Sequence, residues 1–320
     1  VGPSKKTVAN IENTKKWVED ISEWGKKLGT RETVIRSGEL INRWGFKCKA
    51  FESCRPMKIR VVFDVRNRIK EPHFGVAIFR SDGVYCYGPN TQFDRQVIRE
   101  IKPGRGWFEI KYEELLLAPG DYKISVAIWD KNEALPFDYH SGCYDLKILG
   151  PNTAKELLKI PCKIKGRASL PGEWIAAFDT REDIRKEETG IKIGSVQWVD
   201  AYGVPKDVLR TREAATLKIN VVDTLPRGEK VYLWAGIFRN DGVYCQGFVA
   251  PRRKEQCYNF VFPELPLLPG GYTVSVRAWN TKVKKILACR DGAVSFRIVF
   301  DREDHGTVHL EHAWKWEFRK

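Results

Sequence analysis

The chain has 320 residues, with 55 Lys and Arg against 41 Asp and Glu, a net charge of +14, 42% hydrophobic and 30% charged residues. That length holds two domains of ordinary size, each with its own core, and the composition is that of a globular protein. No apolar run approaches the ~20 residues of a spanning helix, and residues 1–30 lack the apolar centre of a secretory signal, so a cytosolic location is expected. The basic excess is scattered rather than gathered in one stripe, which points to an anionic polymer or membrane surface nearby more than to nucleic acid.

Residues 4–28 place Val8, Ile11, Val18, Ile21 and Leu28 near a helical period, with Trp17 and Trp24 beside them. This reads as one short amphipathic helix, ending near Gly25 or Gly29, that serves as a connector over residues 1–29. Residue 1 is Val and the sole Met is Met57, so a segment upstream is expected. Beyond residue 30 the text changes to short Val-, Ile- and aromatic-rich runs separated by turn residues. Strands are predicted at 33–41, 57–65, 74–80, 84–88, 106–112, 122–129 and 144–148, an all-β pattern for a two-layer sandwich over 30–174. A short helical piece at 153–159 and a charged linker at 175–189 follow. A second sandwich is expected over 190–320, with strands at 216–222, 231–239, 243–247, 258–262, 272–279 and 294–300 and a closing strand after Gly306.

The two halves are copies. Phe79-Arg80-Ser81-Asp82-Gly83-Val84-Tyr85-Cys86-Tyr87-Gly88 returns as Phe238-Arg239-Asn240-Asp241-Gly242-Val243-Tyr244-Cys245-Gln246-Gly247. Each Asp-Gly supplies the positive φ of a tight hairpin turn. Residues 115–130 match 265–280, and Leu170 and Trp174 match Leu310 and Trp314, so three blocks recur in one order.

Catalytic signatures are missing: there is no phosphate-binding loop, dinucleotide fingerprint, nucleophile elbow or kinase set. No enzyme activity and no cofactor are expected. Eight cysteines without a C-x-x-C pair are expected as mostly buried thiols. Of five His, three (His305, His309, His312) crowd the tail. Residues 309 and 312 face opposite ways on a strand, which favours a polar edge strand over a metal site. What remains is a pair of sandwiches with 11 Trp, 11 Tyr and 16 Phe. Such rings fill cores, stack on sugars or stack on nucleobases.

The blocks FGVAIFRSDGVYCYGPNT and LAPGDYKISVAIWD, with Asp138-Tyr139-His140 after them and a final Leu-x-x-x-Trp strand, resemble the C-terminal carbohydrate-binding domain of Wzt-type ABC transporters, which export O-antigen and related glycans. The likeness is good over about 29–174 and looser over 190–316. The second copy has Gln246 for Tyr87, Phe248-Val249-Ala250 for Pro89-Asn90-Thr91, and no counterpart of Asp138-Tyr139-His140.

The resemblance implies two tandem immunoglobulin-like antiparallel β-sandwiches and non-catalytic recognition of a polysaccharide at its capped end. It also implies an ATPase domain outside this chain that links it to a membrane transporter subunit at the inner face of the cell membrane. Pairing as a homodimer by exchange of the terminal strand is implied too, so that 308–316 or 168–174 crosses between domains or subunits. Candidate carbohydrate contacts are Tyr85, Tyr87, Asn90, Trp129, Asp138, Tyr139 and His140, with Arg80 for an anionic cap. Each has a structural rival: Tyr85 and Tyr87 as core, Trp129 as core because it recurs as Trp279, Arg80 as a hairpin flank. Asp138, Tyr139 and His140 are expected in a loop. A protein-interaction module beside a glycan-modifying enzyme is the second reading, and a nucleic-acid binder the third.

Overall fold

The computed structural model describes residues 21–132, 135–149, 190–226, 228–253, 256–280, 282, 285–301 and 304–318. The helix expected at 4–28 lies largely outside these residues, as do the piece at 153–159, the strand at 168–174 and the linker. Its described end is not α-helical. A short 3-10 turn at Ile21–Glu23 gives way to β1 (Lys27–Leu28), with positive φ at Gly25 and Gly29 breaking the helical path.

The chain divides into two compact units, Val1–Gly150 with Arg302–Lys320, and Pro151–Asp301. In the first, β2 (Thr33–Ile41), β3 (Ala50–Glu52), β4 (Met57–Val65), β5 (Ile69–Lys70), β6 (His73–Arg80), β7 (Tyr85–Tyr87), β8 (Glu100–Ile101), β9 (Gly104–Tyr112), β10 (Gly120–Trp129) and β11 (Pro136–Leu149) follow β1. One sheet runs β1-β11-β10-β6-β7 with β3 parallel on β11, and β5 and β8 form a small ribbon. Strand formation follows side-chain alternation. In β4, Met57, Ile59, Val61, Phe63 and Val65 are buried and the residues between them are half-buried. Phe63, Phe74 and Phe108 fill the centre, with Phe74 and Phe108 stacked at 4.5 Å between centroids.

The second unit holds β12 (Ile191–Val199), β13 (Val208–Arg210), β14 (Ala215–Asp223), β15 (Val231–Arg239), β16 (Tyr244–Pro251), β17 (Cys257–Phe262), β18 (Gly270–Asn280) and β19 (Lys285–Val299). Its sheets are β12-β14-β17 and β13-β19-β18-β15-β16, around Trp198, Leu217, Phe260, Phe262, Tyr272 and Phe296. The duplication extends to details. Arg80 clamps Asp82 and Arg239 clamps Asp241 across the two hairpin turns. The Tyr122 hydroxyl donates to the Ala118 carbonyl as Tyr272 donates to Leu268. A bulge in β11 turns on Gly142, whose N–H donates to Ser125 Oγ, and one in β19 turns on Gly292, which donates to Ser275 Oγ.

The last strand, β20 (His312–Phe318), departs from the second-sandwich bounds of 190–320 and takes the crossing between domains that the resemblance implied for 308–316. Sequence order assigns it to the second sandwich, yet it pairs antiparallel with β9 from His312↔Tyr112 to Phe318↔Gly106 and completes a sheet β2-β4-β9-β20 in the first unit. The reason is apolar and polar fit together. Trp314 and Phe318 reach the Phe63, Phe74 and Phe108 cluster, and Leu310 is fully buried. Asp94 accepts from His312 Nε2 at 2.7 Å and Trp314 Nε1 at 2.6 Å, while His309 Nδ1 lies 3.0 Å from Asp304. The two histidines do not face opposite ways: His309 precedes β20, and both rings approach the Tyr87 hydroxyl, at 3.5 and 3.3 Å. β20 is the edge strand of its sheet, as expected, but the two histidine side chains are buried rather than solvent-facing.

The cysteine expectation also changes. Among the described residues Cys86 is buried and the other six described thiols are half-buried. No described helix is long and apolar enough to cross a membrane.

Asp94→Ala leaves the buried His312 nitrogen without its acceptor, a loss of about 2 kcal/mol. The expected outcome is amide exchange in Gly104–Tyr112 roughly thirtyfold faster than in the wild type, measured by native-state hydrogen exchange.

Candidate functional site

Strand alternation gives the first unit's larger sheet two unlike faces. Phe74, Val76 and Ile78 of β6 and Ile124, Val126 and Ile128 of β10 point into the core. The intervening residues form rows across the outer face: His73 beside Trp129, Gly75 beside Ala127 beside Tyr139, Ala77 beside Ser125, and Phe79 between Lys123 and Tyr85. Small side chains thus occupy the middle and rings stand at the ends. A Cβ added to Gly75 would lie 3.7 Å from Asn90 Cβ and 3.8 Å from Trp129 Nε1, so these two residues flank the floor. Trp129 and Tyr139 have centroids 6.1 Å apart, Phe79 and Tyr85 5.1 Å, and Trp24 lies 6.3 Å from Phe79. The result is a shallow trough whose floor is the half-buried Gly75 and Ala77, with Ser125 and Ala127 buried beside them and aromatic walls at the ends. An apolar floor with ring walls suits the C–H faces of sugar rings, which stack without needing charge.

His73 enters this row unannounced by the sequence. Burial pushes its imidazole pKa down, against the pull of the Lys131 backbone and of Asp130 and Glu71, so the ring is held neutral. Its Nδ1 has no hydrogen-bond partner among the described residues.

Of the residues singled out in the sequence, Tyr85, Asn90, Trp129 and Tyr139 meet at this trough. The others do not. Arg80 is committed to Asp82 through three contacts of 3.0 Å or less, which is its hairpin-flank role. Tyr87 is fully buried: a register shift in the β6–β7 pairing sets it opposite core-facing Ile78 while Tyr85 sits opposite Phe79, so the two tyrosines do not share a face. Asp138, Tyr139 and His140 are not a loop but part of β11, whose bulge at Gly142 disguised its alternation.

Asp138 is fully buried, accepts from the Ile35 N–H at 2.7 Å and pairs with Arg31 at 2.9 Å. Burial pushes its carboxyl up, but His140, the Ile35 N–H and Arg31 together outweigh that and hold it below the usual carboxylate range. His140 is 1% exposed, with Nδ1 2.7 Å from the Tyr144 hydroxyl.

The second unit carries the same rows with different fillers. By position in the repeat Trp234 replaces Gly75, Arg277 replaces Ala127 and Tyr232 replaces His73, while Phe238, Ser275 and Trp279 keep their places. The Trp234 indole lies across Gly236 and Gly247, where any Cβ would meet it. It is 5% exposed and forms a separate apolar cluster with Val249, Tyr232, Phe238, Tyr244 and Trp279, and the Arg277 guanidinium carbon sits 5.8 Å from its ring. The trough is filled in this copy. The floor residues Gly75, Ala77 and Ala127 escaped the sequence reading. Their signal was present as the Gly75/Trp234 and Ala127/Arg277 exchanges between the repeats.

The family model described as "Wzt C-terminal domain" matches residues 26–159 and 182–310. The chain belongs to the Wzt C-terminal domain family. Two successive matches make it a tandem pair of such domains, and the family supports a non-catalytic, carbohydrate-binding role in O-antigen ABC transporters. No curated protein matches the chain. Among solved structures, a crystal structure of the C-terminal domain of wzt is 17% identical with a TM-score of 0.36, over 41% of this chain and 88% of that one. Dimeric latent PorU from Porphyromonas gingivalis follows at 10% identity and a TM-score of 0.25, over 88% of this chain and 21% of that one. The alkylpurine DNA glycosylase AlkC of Pseudomonas fluorescens is 16% identical with a TM-score of 0.23, over 39% and 37%. At such TM-scores these likenesses carry no argument; membership of the Wzt C-terminal domain family rests on the family match.

The Asp138 carboxylate is a stabilising group in this family member's first sandwich. Because its folded pKa is depressed, its contribution is present above the unfolded carboxylate pKa of about 4 and is lost as pH falls through the folded value. Asp138→Asn is expected to destabilise the first sandwich by about 2 kcal/mol at pH 7 and by clearly less at pH 2–3, a difference that urea titrations at the two pH values measure.

Proposed function

We propose that the first sandwich binds a polysaccharide across the outer face of the β11-β10-β6-β7 sheet and that the second does not bind it at the equivalent place. The observation that carries this reading is the contrast between the copies: a shallow trough where Gly75 and Ala77 are half-buried beside the buried Ala127 in one, and the same ground occupied by Trp234 under Arg277 in the other. Trp129, Tyr139 and Tyr85 supply stacking faces, and Asn90 and His73 supply polar contacts at the rim. The role is recognition without chemistry. The chain selects a finished glycan by its capped terminus for an ABC exporter whose ATP hydrolysis belongs to a domain outside this chain, working as a homodimer at the cytoplasmic face of the inner membrane.

A second reading has its own observation. In each copy an Asx turn holds out an apolar tip: Asn42 Oδ1 accepts from the Trp44 and Phe46 N–H groups, and Asp200 Oδ1 from those of Tyr202 and Val204. Trp44 is 66% exposed and Tyr202 92%, which suits a protein-interaction module.

The test is titration of the chain with the polysaccharide isolated from its source cell. Gly75→Trp copies the natural plug; its Cβ meets only ordinary contacts, so the fold is expected to be kept while binding falls at least about a hundredfold. Trp129→Ala and Tyr139→Ala are each expected to weaken binding roughly ten- to a hundredfold, and Trp234→Ala to leave it unchanged. Full affinity in Gly75→Trp sinks the trough as the site. Absence of glycan binding by the folded wild type moves the interaction module to the front, and a steep loss of oligonucleotide affinity with salt would speak for nucleic acid.

A further inference from the structure

Basic residues that are scattered along the sequence are in part gathered by the fold. The ribbon of β5 and β8 brings residues 66–70 against 99–102, with Ile69 opposite Ile101 and Lys70 opposite Glu100. Ile69, Ile98 and Ile101 are buried and anchor it, so alternation turns the residues between them outward. Arg66, Arg68, Lys70, Arg95, Arg99 and Lys102 are all exposed, with only the carboxylates of Glu71 and Glu100 among them. Glu71 lies 3.7 Å from Lys131 and Glu100 3.7 Å from Arg68, long pairs between exposed groups that neutralise little. Arg66, Lys70, Arg95, Arg99 and Lys102 make no ion pair among the described residues.

The ribbon belongs to one copy. Gly88 and Tyr112 match Gly247 and Phe262, yet residues 89–111 between the first two answer only to 248–261 between the second two. The added length lies on the way from β7 to β9 and contains β8. In the second unit no strand pair among the described residues takes the place of β5 and β8. Arg252, in the shortened connection there, is tied to both Asp223 carboxylate oxygens and to the Leu225 carbonyl. A stretch added to one copy and loaded with outward cations is not something the common fold requires.

The chemistry of the patch selects its partner. Long Lys and Arg side chains on the outside of a two-stranded ribbon suit many mobile anions spread over a surface. Val97 lies among them 77% exposed, an apolar side chain that the boundary between headgroups and acyl chains accepts. Residues 66–71 and 95–102 hold no aromatic ring to stack on a base and no helix to enter a groove, which disfavours nucleic acid. We propose that the β5–β8 ribbon of the first sandwich docks on the anionic headgroups of a lipid bilayer. Each Lys or Arg brought to such a surface raises affinity about fivefold, and salt weakens the attraction. The ribbon shares no residue with the trough, so this docking stands or falls separately from glycan binding.

The test is co-sedimentation of the full chain with vesicles of phosphatidylglycerol and phosphatidylcholine, against vesicles of phosphatidylcholine alone, at low and raised salt. The wild type is expected to bind the anionic vesicles, to leave them as salt rises and to ignore the neutral ones. Lys70→Gln, Arg99→Gln and Lys102→Gln combined are expected to lower the affinity about a hundredfold. All three side chains are exposed, so the fold is expected to be kept, which circular dichroism checks. Lys147→Gln, Lys192→Gln and Arg297→Gln combined give the same net charge from exposed positions elsewhere and are expected to keep the affinity within about threefold. Equal losses in the two triple variants overturn the ribbon as the docking surface, and a folded wild type that ignores anionic vesicles overturns the proposal outright. Binding of a duplex oligonucleotide without binding of vesicles overturns it in favour of nucleic acid.

Discussion

The first sandwich depends on one pairing, that of β20 with β9. Without β20, the Phe63, Phe74 and Phe108 cluster loses the rings of Trp314 and Phe318 along one side, and Leu310 has no cavity to fill. The polar groups are arranged around the same junction. Asp94 ties two β20 side chains to the β7–β8 loop, and Tyr87 meets both histidines. These groups are buried, so each bond left unmade costs its full desolvation penalty. The junction therefore closes as a unit, and residues that look like surface candidates in the sequence, Tyr87 and the tail histidines, are in fact its interior.

Much of the fold was legible in the sequence because its carriers are local. Strands β2, β4 and β15 coincide with their predicted spans; β4 alternates cleanly between buried and half-buried positions, while β2 and β15 show as apolar-rich runs bounded by turn residues. Asp-Gly turns and the repeat itself fixed the hairpins. What failed was non-local. The partner of β20 is set by a cavity in a distant part of the chain, which no window of sequence reports. The extent of β11 was hidden by a bulge and by Asp138 and His140, polar residues that bury themselves only because Arg31, the Ile35 N–H and Tyr144 are waiting for them. The very short strands β5 and β8 carry too few residues to show a period.

The trough illustrates the same limit at the site. Aromatic residues advertise themselves, so Tyr85, Trp129 and Tyr139 were picked out. Floor residues are conspicuous only by being small, and smallness has many causes. Duplication provides an internal control, because two copies under one fold differ where their tasks differ. The hairpin clamps, the tyrosine bonds and the bulges are kept in both, as folding demands. The Gly75/Trp234 difference falls on the outer face, where the core does not constrain it.

The β20 junction also sets an order on how the molecule is made. Trp316 pairs with Phe108, so the partner of β9 leaves the ribosome roughly two hundred residues later, on the order of ten to forty seconds at about 5–20 residues per second. Throughout that interval β9 has β4 on one side only, and the Phe108 ring lacks the cover that Trp314 gives it. An open edge of this kind invites pairing with whatever strand is nearby, including those of neighbouring nascent chains. Of the two sandwiches, the earlier to be synthesised is thus the later to be finished, and its completion reports that the other has been made.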